Sequence, residues 1–130
     1  MRIVMDASAI VPYVSNVGTP SVEPYFAAGN ELHIPALCDA EVVGGLARQV
    51  RVGGLSEADA REALIDYVSM PLARHMHLRL VARTYELSHI FSATDASYVA
   101  LAEALDADLV TLDRSLARAT RELTQVRVLP

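Results

Sequence analysis

Short, uninterrupted apolar runs alternate along this chain with longer stretches whose apolar residues fall at helical spacing. Ile3 to Met5 is apolar throughout and ends at Asp6, as expected of a central parallel strand covered on both faces. Leu109-Val110-Thr111-Leu112, ending at Asp113, repeats the pattern and predicts a strand over residues 108–112. Between them the spacing predicts a short helix after Asp6, with Pro12 near its first turn, where proline is tolerated. Thr19-Pro20-Ser21 opens a second helix that Gly29-Asn30 closes, and Leu32 to Pro35 reads as a short strand.

From Leu37 to Val52 the apolar positions Val43, Leu46, Ala47 and Val50 have helical spacing, and Gly53-Gly54 ends the run. Ser56-Glu57-Ala58-Asp59 is a capping-box signature for a helix reaching about Val68. Met70 to Met76 leaves room for a brief strand. Helices follow over residues 77–88, 95–105 and 114–123, and a terminal strand over residues 126–129. Strands joined by helices imply α/β architecture with a mostly parallel sheet, right-handed crossovers and helices on both faces. No repeat, linker or low-complexity tract divides the chain, so residues 1–130 are expected to form one domain.

No apolar run reaches the roughly 18 residues of a membrane helix, so no membrane partner is expected. The first strand starts without a signal-peptide profile, and the only cysteine, Cys38, lies among apolar neighbours. Together these lead to the expectation of a buried thiol in a cytoplasmic protein. The net charge of −5 argues against a protein that coats nucleic acid. It leaves a nuclease open, because acidic metal ligands contribute to that sum and a bound cation reverses the local sign. All basic residues are arginine. The absence of lysine excludes receivers and phosphatases built on a phosphoryl-aspartate, which depend on a lysine near the phosphoryl group.

Four carboxylates stand out: Asp6, Glu41, Asp95 and Asp113. Asp6 and Asp113 terminate strands, where open parallel sheets bind ligands, but each also precedes a helix that it can cap. Asp95 fits the capping box Ser92-Ala93-Thr94-Asp95, yet it shares a helical face with Val99 and Ala102 and so tops an inward stripe. Glu41 falls nearly opposite the apolar stripe of its helix, beside Gly44 and Arg48. It reads either as an exposed glutamate or as the border of a groove where Gly44-Gly45 admits a nucleic-acid backbone and Arg48 meets phosphate. Acidic groups converging at a sheet edge need compensation, most simply by a hard cation with oxygen ligands. That chemistry points to a divalent metal and phosphodiester cleavage. His75 and His77 alternate on one strand face but have no further ligands to complete a zinc set. Arg114, Arg118 and Arg121 form a helical row that reads as a solvated face or a phosphate track.

Val4-Met5-Asp6-Ala7-Ser8, Asp95-Ala96-Ser97-Tyr98-Val99-Ala100-Leu101-Ala102-Glu103 and Leu109-Val110-Thr111-Leu112-Asp113 together resemble PIN-domain ribonucleases, and more narrowly the VapC toxins of bacterial toxin–antitoxin pairs. His89 and Thr94 stand where that family usually carries an asparagine and an aromatic. The resemblance implies a three-layer α/β/α sandwich and Mg²⁺- or Mn²⁺-dependent endoribonuclease activity on tRNA or another structured RNA, with inhibition of translation as its outcome. It also implies a homodimer and a cognate antitoxin, and it assigns metal and catalytic roles to Asp6, Glu41, Asp95 and Asp113. An antitoxin tail is expected to bring an arginine to these carboxylates and to dock near Val11, Val14 and Tyr25. The rival expectation is a PIN-fold protein without turnover that acts only as a binding partner.

Overall fold

The computed structural model describes residues 1–130. Five strands form one parallel sheet: β1 (Arg2–Met5), β2 (Glu31–Pro35), β3 (Leu72–His75), β4 (Asp108–Val110) and β5 (Val128–Leu129), in the order β3-β2-β1-β4-β5. The helices are α1 (Ala7–Val14), α2 (Cys38–Arg51), α3 (Glu57–Ser69), α4 (Val81–Leu87), α5 (Ala93–Leu105) and α6 (Arg114–Leu123). α1, α2 and α3 pack on one another, α4 packs on α5, and α5 lies across β1, β2 and β4. The result is the expected α/β/α sandwich. No helix is long and apolar enough to cross a membrane.

β1 is the middle strand, and Ile3, Val4 and Met5 are fully buried between the layers. The chain builds outward from β1 to β2 and β3, then returns to the other side of β1 for β4 and β5. The strand order therefore reverses between β1 and β4, and a crevice opens at their carboxyl ends. Asp6 follows β1 directly, and Thr111 and Asp113 follow β4.

Four expectations need correction. Residues 19–29 do not form a helix: only a 3₁₀ turn at Glu23–Phe26 is present, because Pro24 lacks the N–H that a continuous helix needs there. Pro12 lies in the last turn of α1, not the first. β4 stops at Val110 because its neighbours end there: Val110 pairs with Met5 and with Leu129, the last residues of β1 and β5. The inward stripe of α2 is Cys38, Val42 and Leu46, whereas Val43 is 52% exposed. That rotation brings Glu41 and Gly45 round toward α1. A Cβ on Gly45 would meet a methyl of Val11 at 2.9 Å, so any larger residue there would force Val11 to shift.

Candidate active site

Asp6, Glu41, Asp95 and Asp113 all line one cleft of about 500 Å³ at the reversal point, together with Arg48 and Gln49. Residues up to 107 positions apart in sequence thus share one wall, gathered from β1, α2, α5 and the turn after β4. Arg114 does not line the cleft.

Asp6 is 7% exposed and tightly held. Its Oδ2 accepts hydrogen bonds from the Ser8 hydroxyl at 2.6 Å and the Thr111 hydroxyl at 2.7 Å. Each hydroxyl is itself oriented by a backbone N–H, Leu112 donating to Ser8 and Asp113 to Thr111. With both hydroxyl protons committed to one oxygen, Oδ1 of Asp6 is left for the cleft. Glu41 is held from α5, where the buried Tyr98 hydroxyl donates to Glu41 Oε1 at 2.6 Å. The Ser92 hydroxyl caps α5 by accepting the Asp95 N–H at 3.1 Å. Ser8, Thr111 and Tyr98 join the site without standing out in the sequence. Their traces in the sequence are faint: a hydroxyl two positions from each strand-end aspartate, and a tyrosine on the inward face of a helix, where its hydroxyl needs a partner.

Asp113 does what its local pattern suggests as well. Its Oδ1 accepts the N–H groups of Ser115 and Leu116 at 2.9 and 3.1 Å and caps α6. Asparagine keeps that acceptor. Asp113→Asn should therefore unfold within about 0.5 kcal/mol of the native protein, whereas Asp113→Ala should lose about 1 kcal/mol. Urea denaturation of the pair checks this, and equal stability of the two variants would remove the capping role.

The charge balance of the cleft is unusual. None of its carboxylates is ion-paired with a basic side chain. Burial, then the charges of Asp6 and Asp95, raise the Glu41 carboxyl above its ordinary range, against the pull of the Tyr98 hydrogen bond. Burial, then the charges of Asp6 and Asp113, raise Asp95 likewise, with Ser92 opposing. The folded protein thus holds protons at these two positions more tightly than the unfolded chain does. Their contribution to stability is greatest below the ordinary carboxyl range and is lost as pH rises through the raised values. Without divalent cations, Asp95→Asn should become progressively more stable than the native protein as pH is raised from about 4 to about 7. A stability difference that does not change with pH would contradict this.

Oxygen ligands with uncompensated negative charge suit a hard cation. No three of the acidic, histidine or cysteine side chains stand close enough, as placed, to ligate one bare ion. A cation in this cleft would therefore complete its shell with water, the carboxylates reaching it directly or through that water. Other candidates are accounted for elsewhere. His75 Nε2 lies 2.8 Å from His33 Nδ1, and His77 Nε2 accepts the Leu37 N–H, so both are engaged within the protein. The Cys38 thiol is buried and pushed up to about 11, chiefly by desolvation, which leaves it protonated and unreactive.

A family model, that of the PIN domain, matches residues 3–122 of this chain. Ribonuclease VapC9 of Mycobacterium tuberculosis is 38% identical over 128 residues, covering 98% of each chain. Among solved structures, the chain is similar to VapC20 of the same organism, described as a Sarcin-Ricin loop cleaving toxin. The TM-score is 0.65 at 16% identity, over 90% of this chain and 94% of that one. It is also similar to VapBC2 of Rickettsia felis bound to a promoter DNA fragment, with a TM-score of 0.70 at 16% identity over 98% and 97%. The chain belongs to the PIN-domain family, and within it to the VapC ribonucleases.

Proposed function

We propose that this protein is the toxin of a toxin–antitoxin pair, an endoribonuclease that uses Mg²⁺ or Mn²⁺ held by Asp6, Glu41, Asp95 and Asp113. The observation that carries this reading is the convergence of the four carboxylates in one cleft with no basic partner among them. These four residues would hold the divalent cation, which when bound would supply polarisation of the scissile phosphate and a lowered pKa of the attacking water. The chain's own residues do the remaining work. Ser8 and Thr111 fix Asp6, Tyr98 fixes Glu41, and the capped start of α5 fixes Asp95. Arg48 lines the cleft without an ion-pair partner and is placed to take a phosphate of the substrate backbone.

Structured RNA is the proposed substrate, with tRNA as the first candidate. The name of VapC20 supports a folded RNA, and the open, mixed-charge cleft admits a phosphodiester backbone. Purified protein incubated with tRNA and other structured RNAs in Mg²⁺ should leave a small number of discrete cuts, mapped by primer extension. Intact RNA under these conditions would favour the rival reading of a PIN-fold binding protein without turnover.

The VapBC2 assembly supports a cognate antitoxin. An arginine from its tail would pair with the carboxylates and displace the cation, a charge-assisted contact of bidentate geometry. Val14 is buried and unavailable to that tail, while Val11 and Tyr25 are half-buried and offer only part of their surface. Deleting the tail of a co-expressed antitoxin should release nuclease activity, and full inhibition after truncation would refute this mode. Homodimerisation is supported by the exposed apolar side chains Met76, Leu78, Val81 and Tyr85 around the start of α4. Leu78→Asp should halve the native mass toward the 14.1 kDa of one chain, and an unchanged mass would exclude this face.

A further inference from the structure

The first turn of α2, which carries Glu41, is held from outside the helix at several points. Its N-cap, Leu37, supplies no side-chain cap. Instead the Leu37 N–H donates to His77 Nε2 at 3.1 Å. Asp39, two residues before Glu41, accepts the Tyr67 hydroxyl and both of its oxygens are met by Arg74 Nε, at 2.9 and 3.0 Å. These contacts come from α3, β3 and the segment after β3, and none involves Tyr98. The backbone of this turn is therefore in place before the Glu41 side chain is considered.

That side chain has three rotatable bonds and only one protein hydrogen bond, the 2.6 Å bond from the Tyr98 hydroxyl to Oε1. Tyr98 is fully buried, so the donor itself has little freedom. It lies on α5 one turn after Asp95. One rigid helix thus delivers a carboxylate to the cleft and also anchors a second carboxylate that comes from α2. Engaging Oε1 leaves Oε2 as the Glu41 oxygen without a protein partner, in a residue that lines the cleft.

We infer that Tyr98 is a positioning residue: its hydroxyl selects the Glu41 conformation that presents Oε2 to the cation, and so sets the affinity of the site for that cation. The inference rests on the metal-site reading above. Removing the hydroxyl frees the glutamate to sample other rotamers while α2 stays anchored through Leu37 and Asp39. Residues that orient metal ligands typically change metal affinity by about 10- to 100-fold.

The test is a double-mutant cycle on Tyr98→Phe and Glu41→Gln, read by calorimetric titration with Mn²⁺ and by the melting temperature without metal. Tyr98→Phe should bind Mn²⁺ about tenfold more weakly than the native protein, and should add no further loss in the Glu41→Gln background. Glu41→Asp approaches the same bond from the other side. It keeps the charge but withdraws the carboxylate from the phenol, and should show a similar loss that Tyr98→Phe does not deepen. Read alone, this variant tests the inference even where Tyr98→Phe folds poorly, because native Mn²⁺ affinity in folded Glu41→Asp would overturn the positioning role. Native Mn²⁺ affinity in Tyr98→Phe, or an equal loss with and without Glu41, would overturn the positioning role and leave the metal site standing. A native protein that takes up no Mn²⁺ would overturn both.

Discussion

Asp6→Asn protein is expected to cleave RNA at least about a hundredfold more slowly than the native chain, while melting at the same temperature or higher. Both halves follow from the geometry around Asp6. Its Oδ2 accepts the Ser8 and Thr111 hydroxyls, and the asparagine carbonyl oxygen can accept the same two bonds. The amide then replaces Oδ1, the oxygen left for the cleft, and turns the proposed cation ligand into a donor. Residues one step removed from a metal already change activity by about 10- to 100-fold, so the loss of a ligand should exceed that range. Stability moves the other way. The Asp6 charge helps to raise both Glu41 and Asp95, after burial, and removing it relieves that repulsion in the metal-free protein. Asp95→Asn should behave alike. Cleavage near the native rate by folded Asp6→Asn would sink the assignment of Asp6 to the metal.

The second large effect is thermal. Mn²⁺ or Mg²⁺ should stabilise the protein, because the carboxylates converge only in the folded chain while a divalent cation offsets their mutual repulsion. At 100 times its dissociation constant, a ligand that binds only the native state adds about 2.7 kcal/mol. For a domain of this length that is a rise in melting temperature of roughly 8–10 °C. The rise should shrink in Asp95→Asn, which is already partly relieved, and should be absent with K⁺ at the same ionic strength. A melting temperature indifferent to millimolar Mn²⁺ would count against a preformed site.

Much of this architecture is legible in the chain because burial on both faces leaves a plain trace. Ile3 to Met5 and Leu109-Val110 are uninterrupted apolar runs, and the aspartates that end them fall at the one place where the strand order reverses. Asp95 is legible for a related reason, since it tops the inward face of a helix in which Ala96 to Ala102 are all buried. Glu41 is not. The most apolar face of α2, through Val43, Ala47 and Val50, lines a groove shared with α3 instead of the core. Apolar periodicity therefore points to the wrong inward face of α2. It leaves Glu41 open between an exposed glutamate and the border of a groove, the second of which matches its place in the cleft. Its place came from the family resemblance and is explained by the structure, where Gly45 lets α1 approach and Tyr98 reaches across. In the 19–29 segment the helix-like composition is outweighed by Pro24, and the chain makes a single 3₁₀ turn. Ser8, Thr111 and Tyr98 act through contacts between elements. Such contacts are set by the packing of α5 and the turn after β4, and no local pattern encodes them.

The direct measurement is cleavage of one structured RNA by the purified protein through a cycle of chelation and add-back. Treatment with EDTA should stop cleavage, and Mg²⁺ or Mn²⁺ should restore it to the native protein but not to Asp6→Asn assayed beside it. Cleavage that continues undiminished in EDTA, or that returns equally in both proteins, would contradict a metal centre built from these four carboxylates.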